Sequence, residues 1–235
     1  AAGHQIDHNY FGRRTSLLDS DGKERNGQEI IRIGDSSNSM KSAACTVEDN
    51  LFEDCDGEIE TISNKSCDNI YRRNTFVRSA GLLTLRHGNG CTVTQNHFYG
   101  CGKSGTGGVR IIGENHTVTN NYFYQLKGTH FRSAICIVRG KENSALNEYF
   151  QVKNALVANN TMVDCAMSFC INYNSGSQTL PPVNTTIVAN HVYNTAAGNT
   201  CVNVAQANDA MSITWSGNMM NQGNYTGTTA AGLNI

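Results

Sequence analysis

Short β-prone runs, each bounded by asparagine, aspartate or glycine, follow one another along the chain, and one six-residue pattern recurs among them. Its form is apolar-x-x-Asn-x-apolar. It reads IDHNYF at 6–11, VEDNLF at 47–52, YRRNTF at 71–76, VTQNHF at 93–98, VTNNYF at 118–123, VANNTM at 157–162 and IVANHV at 187–192, with a degraded copy around Asn218. Successive asparagines (Asn9, Asn50, Asn74, Asn96, Asn121, Asn160 and Asn190) are 41, 24, 22, 25, 39 and 30 residues apart. A repeat of this period marks a solenoid. The short spacings fit one coil, and the long ones a coil carrying a surface loop, because insertions project outward.

Between the asparagine units lie IIRIG (30–34), EIETIS (58–63), LLTLRHG (82–88), VRIIG (109–113), AICIVRG (134–140), FCINYN (169–174) and VNVAQ (202–206). These predict strands stacked as one parallel sheet. The whole pattern predicts an all-β fold, a right-handed parallel β-helix, in which coils stack at about 4.8 Å and equivalent residues form ladders. Asparagine at a tight turn is expected to adopt the left-handed conformation and to bond its neighbours above and below. Phe11, Phe52, Phe76, Phe98 and Phe123 should form an inner aromatic stack. Cys55, Cys101 and Cys165 each follow a ladder asparagine by five residues and are expected to join it. A leucine-rich solenoid would need a leucine framework and helices, and neither stands out.

Composition agrees with a turn-rich β fold. The 235 residues suffice for one domain with a sizeable core, with 23 glycines, two prolines and only 16% charged residues. A net charge of -1 gives no overall field to attract or repel a polyanion, so recognition of an acidic ligand must come from local clustering. No nucleic-acid partner is expected. No membrane partner is expected either, since no apolar run is long enough to span a bilayer. The chain opens at Ala1 and enters the repeat almost at once. It reads as a single β-helix domain over 1–235, a fragment lacking its N-terminal coils and cap. Nine cysteines is an odd number and no C-x-x-C pair occurs, which argues against zinc or redox chemistry. Most cysteines read as buried small apolar residues.

Polar residues interrupt the predicted strands at aligned places. Glu58 and Glu60 are two apart, a spacing that places both on one face of a strand. Asn26 lies one coil earlier, with Glu29 close by. Asparagine with two carboxylates forms a hard oxygen site suited to Ca²⁺. An exposed acidic ladder explains the pair equally well, except that adjacent like charges repel and so invite a cation. Lys65 follows in the next turn, Arg86 and His87 one coil on, then Arg110 and Arg139. A single lysine or Arg-His pair is ordinarily a solvated surface charge. It is the convergence on successive coils that points to a site.

The ordered segments NGQEIIRIG, EIETISNKS, LLTLRHGNG and GGVRIIGENH, spanning 26–116, resemble polysaccharide lyase family 6, which contains alginate lyases and chondroitinase B. The asparagine repeats carry the resemblance over nearly the whole chain. By position it implies Asn26, Glu58 and Glu60 as Ca²⁺ ligands and Lys65 as the Brønsted base. It implies Arg86 as acid or leaving-group stabiliser, with His87 and Arg110 lining the substrate cleft. Arg139 is added as a substrate-binding candidate from its place after Arg110. Glu148 falls near a further functional carboxylate of chondroitinase B, but its surroundings match poorly and it is not counted.

The implied reaction is β-elimination at a uronate of an anionic polysaccharide, with alginate preferred over dermatan sulfate because ISNKS and LTLRHG look closer to the alginate-cleaving members. Arg86 is read as an electrostatic stabiliser, since a guanidinium yields its proton reluctantly. His87 is the most plausible titrating neighbour, with orientation of substrate as its alternative role. Two other classes compete. A hydrolase on the same fold needs paired acid and base carboxylates, whereas Asp49, Asp54 and Asp56 sit in or beside the repeat turns. A non-catalytic glycan-binding β-helix would not need an ordered Lys-Arg-His cluster. Loops bordering the cleft are expected around 20–38 and 132–154. A polymeric substrate implies a secreted or periplasmic protein.

Overall fold

The computed structural model describes residues 2–23, 25–206, 210–233 and 235. Among them the chain winds into a parallel β-helix, each coil contributing up to three short strands. Equivalent strands align into three sheets of eight, all paired in parallel. A small two-stranded pair, Arg14–Thr15 with Cys55–Asp56, sits beside them. The helical segments among the described residues are two short 3₁₀ turns, Ser36–Asn38 and His130–Arg132.

Three apolar columns fill the interior. Val47, Tyr71, Val93, Val118, Val157 and Ile187 are in register on one sheet. Ile62, Leu83, Val109, Ile135, Phe169 and Val202 line another. The third is the predicted phenylalanine stack, whose successive ring centroids lie 4.8, 4.7, 4.6 and 4.8 Å apart. The coil spacing imposes this face-to-face geometry, although aromatic electrostatics prefer an offset. Burial compensates, at about 1.5–3 kcal/mol for each fully buried phenylalanine. Met162, Val192 and Met220 continue the column.

The asparagine ladder also forms, by a different division of labour from the expected one. The backbone N–H and the Nδ2 of Asn74 both donate to Oδ1 of Asn96, each at 3.0 Å, and the same pair of bonds links Asn96 to Asn121 and Asn121 to Asn160. The left-handed residue, however, is the one before each asparagine: Asp49, Arg73, Gln95, Asn120 and Asn159 have φ of 55°, 55°, 58°, 58° and 55°. The ladder asparagine must direct its amide inward along the stack, so its outward neighbour takes the turn. Cys101 departs from the inward scheme as well: it is exposed with φ 50°, whereas Cys55 and Cys165 are buried.

The sheet that matters for function runs through the strands Ile31–Gly34, Glu60–Lys65, Leu82–His87, Val109–Ile111, Ile135–Val138, Met167–Tyr173, Thr200–Val204 and Asn224–Thr226. The strands on either side of Glu60–Lys65 run into glycines with positive φ, Gly34 and Gly88. A Cβ on Gly34 would lie 2.3 Å from the Lys65 carbonyl oxygen, and one on Gly88 2.3 Å from that of Ser66. The turn after Lys65 is therefore clasped between two glycine positions that no larger residue can occupy.

Candidate active site

The outer face of this sheet should alternate with its inner face, and over most of its length it does. Ser63, Thr84, Arg110, Cys136, Cys170 and Asn203 form one outward column in register. Two irregularities create the site. The pairing of Glu60–Lys65 with Leu82–His87 shifts between Leu82 and Leu83, so Thr61 is an extra residue opposite them. Because Ile62 and Asn64 face the core, a strict period of two would send Glu60 inward. The bulge turns it out instead. Glu58 is not on the strand; it lies in the bend before it. A second shift, between Leu85 and His87, leaves both Arg86 and His87 opposite Lys65, and both line one cleft.

That cleft has a volume of about 410 Å³ and gathers Asn26, Glu29, Glu58, Glu60, Lys65, Arg86, His87 and Arg110. Seven of the eight residues expected from sequence are brought together. Arg139 is the exception. It is buried and donates from Nε to the Gln178 carbonyl at 3.0 Å and from Nη2 to that of Thr179. The register explains why: Arg110 pairs with Cys136, not with Arg139. Arg139 lies three residues beyond Cys136, at the end of its segment, and so falls outside the outward column.

Glu29, Glu58 and Glu60 each offer a carboxylate oxygen, and the three oxygens lie within 4.8 Å of one another. Burial, followed by the charges of Glu29 and Glu60, pushes the Glu58 carboxyl up to about 7. Ionising Glu58 beside the other two carboxylates is costly, and a cation would relieve that cost. The all-oxygen donor set, with Asn26 on the same wall, suits a hard divalent ion. Asn26 itself accepts from the Gly27 N–H at 2.8 Å. Glu29 was not counted among the ligands from sequence. It sits in an irregular segment, and its only signal is closeness to Asn26.

The cations are arranged around this cluster. Arg110 Nη2 is 2.5 Å from Glu60 Oε1, and Lys65 Nζ is 3.8 Å from Glu29 Oε1. Asn64, behind Lys65, is fully buried. It donates to the Ser66 and His87 carbonyls and accepts from the Tyr71 hydroxyl at 2.7 Å, fixing the backbone on either side of the cleft. Burial lowers the Arg86 pKa. His87 is 2% exposed with neither ring nitrogen hydrogen-bonded. Burial, then the charges of Arg86 and Lys65, push it down to about 4. That favours a neutral ring at neutral pH, the state that suits the second of its two expected roles, orienting substrate.

Both long insertions border the cleft, as expected. The first supplies Asn26 and Glu29, the second Asn147 and Tyr149. The second reaches across to the Ser36–Asn38 turn, where Ser39 Oγ donates to the Leu146 carbonyl at 3.3 Å. Glu148, between two residues that line the cleft, pairs with Lys141.

Across residues 2–235 the chain matches the chondroitinase B family. Among solved structures it is similar to the PL6 family alginate lyase AlyGC, with a TM-score of 0.84 and 39% identity over 92% of this chain and 28% of that one. A mannuronic acid-specific family 6 lyase from human gut microbiota matches with a TM-score of 0.72 and 33% identity, over 90% of this chain and 44% of the other. A PL6 alginate lyase in complex with a trisaccharide matches with a TM-score of 0.85 and 26% identity, over 97% and 53%. The chain thus spans about a quarter to a half of the length of these relatives. No curated protein matches it.

Proposed function

Since this chain belongs to polysaccharide lyase family 6, the family of chondroitinase B, we propose that it cleaves alginate by β-elimination at uronate residues, with Ca²⁺ as cofactor. The observation that carries this reading is the convergence of Glu29, Glu58 and Glu60 with Lys65, Arg86 and Arg110 in one cleft. The three carboxylates and three cations balance in formal charge, so a divalent ion would leave the cleft positive and attractive to a polyuronate.

Asn26, Glu29, Glu58 and Glu60 would hold the ion. When bound, Ca²⁺ supplies Lewis-acid neutralisation of the uronate carboxylate, which makes the proton on carbon 5 easier to remove. Lys65, in its neutral form, takes that proton at Nζ. The electron pair forms the carbon 4–carbon 5 double bond, and the bond from carbon 4 to the glycosidic oxygen breaks. Arg86 would stabilise the negative charge on the departing oxygen, which then takes up a proton from water. Its desolvation makes the guanidinium a better donor than one in water. Neutral His87 orients substrate by hydrogen bonding rather than by titrating. Arg110, braced by Glu60, binds uronate carboxylate.

Alginate is favoured because the similar structures are described as alginate lyases. A polymeric substrate of this kind implies a secreted or periplasmic location. The test is ultraviolet absorbance of the new double bond during incubation with alginate, repeated after chelation and with Lys65→Ala. The expected result is a signal lost in both cases. A signal on dermatan sulfate alone would replace alginate as substrate, and undiminished turnover by Lys65→Ala would remove Lys65 as the base.

A further inference from the structure

The sheet that carries the phenylalanine stack has an outward face of its own, on a different sheet from the cleft and sharing no residue with it. Its side chains alternate with the buried phenylalanines and form two columns. One includes Leu51, His97, Tyr122 and His191, the other Tyr99, Tyr124 and Tyr193. Along this strip Tyr10, Leu51, Tyr193 and Met219 are 63%, 37%, 47% and 65% exposed. The rings at its centre adjoin one another: the centroids of His97 and Tyr99, Tyr99 and Tyr122, and Tyr122 and Tyr124 lie 6.0, 6.0 and 6.3 Å apart.

Stacking of the coils does not require these rings. In the same coils the neighbouring sheet holds Thr92, Thr94, Thr117 and Thr119 at its outward positions, an ordinary choice for a strand face that meets water. Tyrosine in their place leaves apolar area in water that contact with a partner would recover. The strip is also uncharged along its length. Its one carboxylate, Glu53, pairs with Arg78 at 2.7 Å, and no lysine or arginine occupies an outward position among its described residues. Arg73, in the turn beside it, pairs with Asp49 at 2.8 Å. A polyanion of the kind suited to the cleft finds no unpaired guanidinium here to attract it.

Shape narrows the partner further. Eight strands at the coil spacing make a strip about 34 Å long, and two outward positions per strand make it about 10 Å wide. That is on the order of 350 Å², well under the roughly 800 Å² that each partner contributes to a stable protein interface. A long, narrow, uncharged strip of tyrosines fits a linear polymer whose rings have flat C–H faces and hydroxyl edges. Tyr124 and Tyr193 are in register two coils apart, with Val163 between them. That sets the two positions about 9.6 Å apart, the order of a disaccharide repeat in an extended chain. We propose that this strip binds an uncharged linear polysaccharide along the solenoid axis. The pyranose faces rest on the tyrosine rings, and their hydroxyls meet the phenol groups. The inference does not rest on the uronan-cleaving reading of the cleft.

The test combines Tyr124→Thr with Tyr193→Thr, which removes two rings and installs the residue that the neighbouring sheet uses outward. Tyr193→Thr alone, at the exposed end of the strip, serves if the double variant fails to fold. The readout is depletion of the chain from solution by microcrystalline cellulose and by β-1,4-mannan at about 1 M salt, which screens contacts made by charge. The parent is expected to bind at least one of the two polymers, and the double variant to bind it about tenfold more weakly. Soluble alginate should not displace the parent. Binding to neither polymer, equal binding by parent and variant, or displacement by alginate would overturn the proposal. So would a parent dimer in sedimentation that the double variant dissolves, since the strip would then be an interface between copies of the chain.

Discussion

The guanidinium carbon of Arg86 lies 4.3 Å from the centroid of the Tyr149 ring. The same side chain donates from Nη1 to the Glu148 carbonyl at 2.8 Å. Arg86 belongs to the sheet and Tyr149 to the second long insertion, so this contact sets how the insertion meets the sheet face. A ring and backbone carbonyls orient the cation without cancelling its charge, as a carboxylate would.

Tyr149→Ala should therefore lower kcat by about tenfold or more through misplacement of Arg86. Tyr149→Phe preserves the ring and should remain within about twofold of the parent. Steady-state kinetics on alginate oligosaccharides separates the two. If Tyr149→Phe were as damaging as Tyr149→Ala, the hydroxyl and not the ring would be the active part, and Tyr149 would become the proton donor.

Glu29 tests the make-up of the metal site. Its carboxylate lies within 4.8 Å of those of Glu58 and Glu60, yet it also faces Lys65 at 3.8 Å. Glu29→Gln removes one of three charges while keeping shape. The Ca²⁺ concentration for half-maximal activity should rise on the order of tenfold or more, with activity recovered at saturating Ca²⁺. An unchanged Ca²⁺ requirement, measured in Ca²⁺-buffered assays, would confine the ligand set to Asn26, Glu58 and Glu60.

The raised pKa of Glu58 predicts how stability follows pH. In the metal-free protein its carboxyl keeps a proton up to about 7, against 4.5 for its ordinary value. Between those values the folded state binds more protons than the unfolded state, so stability falls as pH rises through the window. Ca²⁺ acts in the opposite sense, because it binds the ionised carboxylates. Thermal unfolding in chelator and in Ca²⁺ at pH 5 and pH 8 measures both. The gain in Tm from Ca²⁺ should be larger at pH 8, and an equal gain at both would dissociate Glu58 from the metal.

Ladders were legible in the sequence because a solenoid repeats one environment. Phe52, Phe76 and Phe98 meet the same neighbours in every coil, so the same residue recurs. Glu60, Lys65, Arg86 and His87 were also found, but geometry delivers three of them by routes that periodicity does not contain. Glu60 faces the cleft only because Thr61 is bulged, and Arg86 and His87 share it only because the register slips beyond Leu85. Arg139 lies outside the cleft because succession in the chain does not give register: the residue paired with Arg110 one coil on is Cys136. Tyr149 lies in the 39-residue spacing between Asn121 and Asn160, an insertion with no period to read. Its role depends on meeting Arg86 across the fold.

The ladder itself yields a prediction in which two adjacent asparagines behave oppositely. Asn121 is 2% exposed and donates from Nδ2 to Asn160 Oδ1 and the Val93 carbonyl at 3.0 Å and to the Thr119 carbonyl at 3.1 Å, while its Oδ1 accepts the Asn96 N–H and Nδ2 at 3.0 Å. Asn121→Ala strands these buried partners and should cost about 3 kcal/mol or more. Asn120 carries the left-handed turn, with φ 58°. Glycine adopts that conformation without strain but loosens the unfolded chain, so Asn120→Gly should change stability by no more than about 1 kcal/mol. Denaturant unfolding of the two variants gives the comparison directly. Equal losses would mean that the turn and the ladder are not divided between neighbouring residues, and the account of how each coil closes would have to be rebuilt around Asn120.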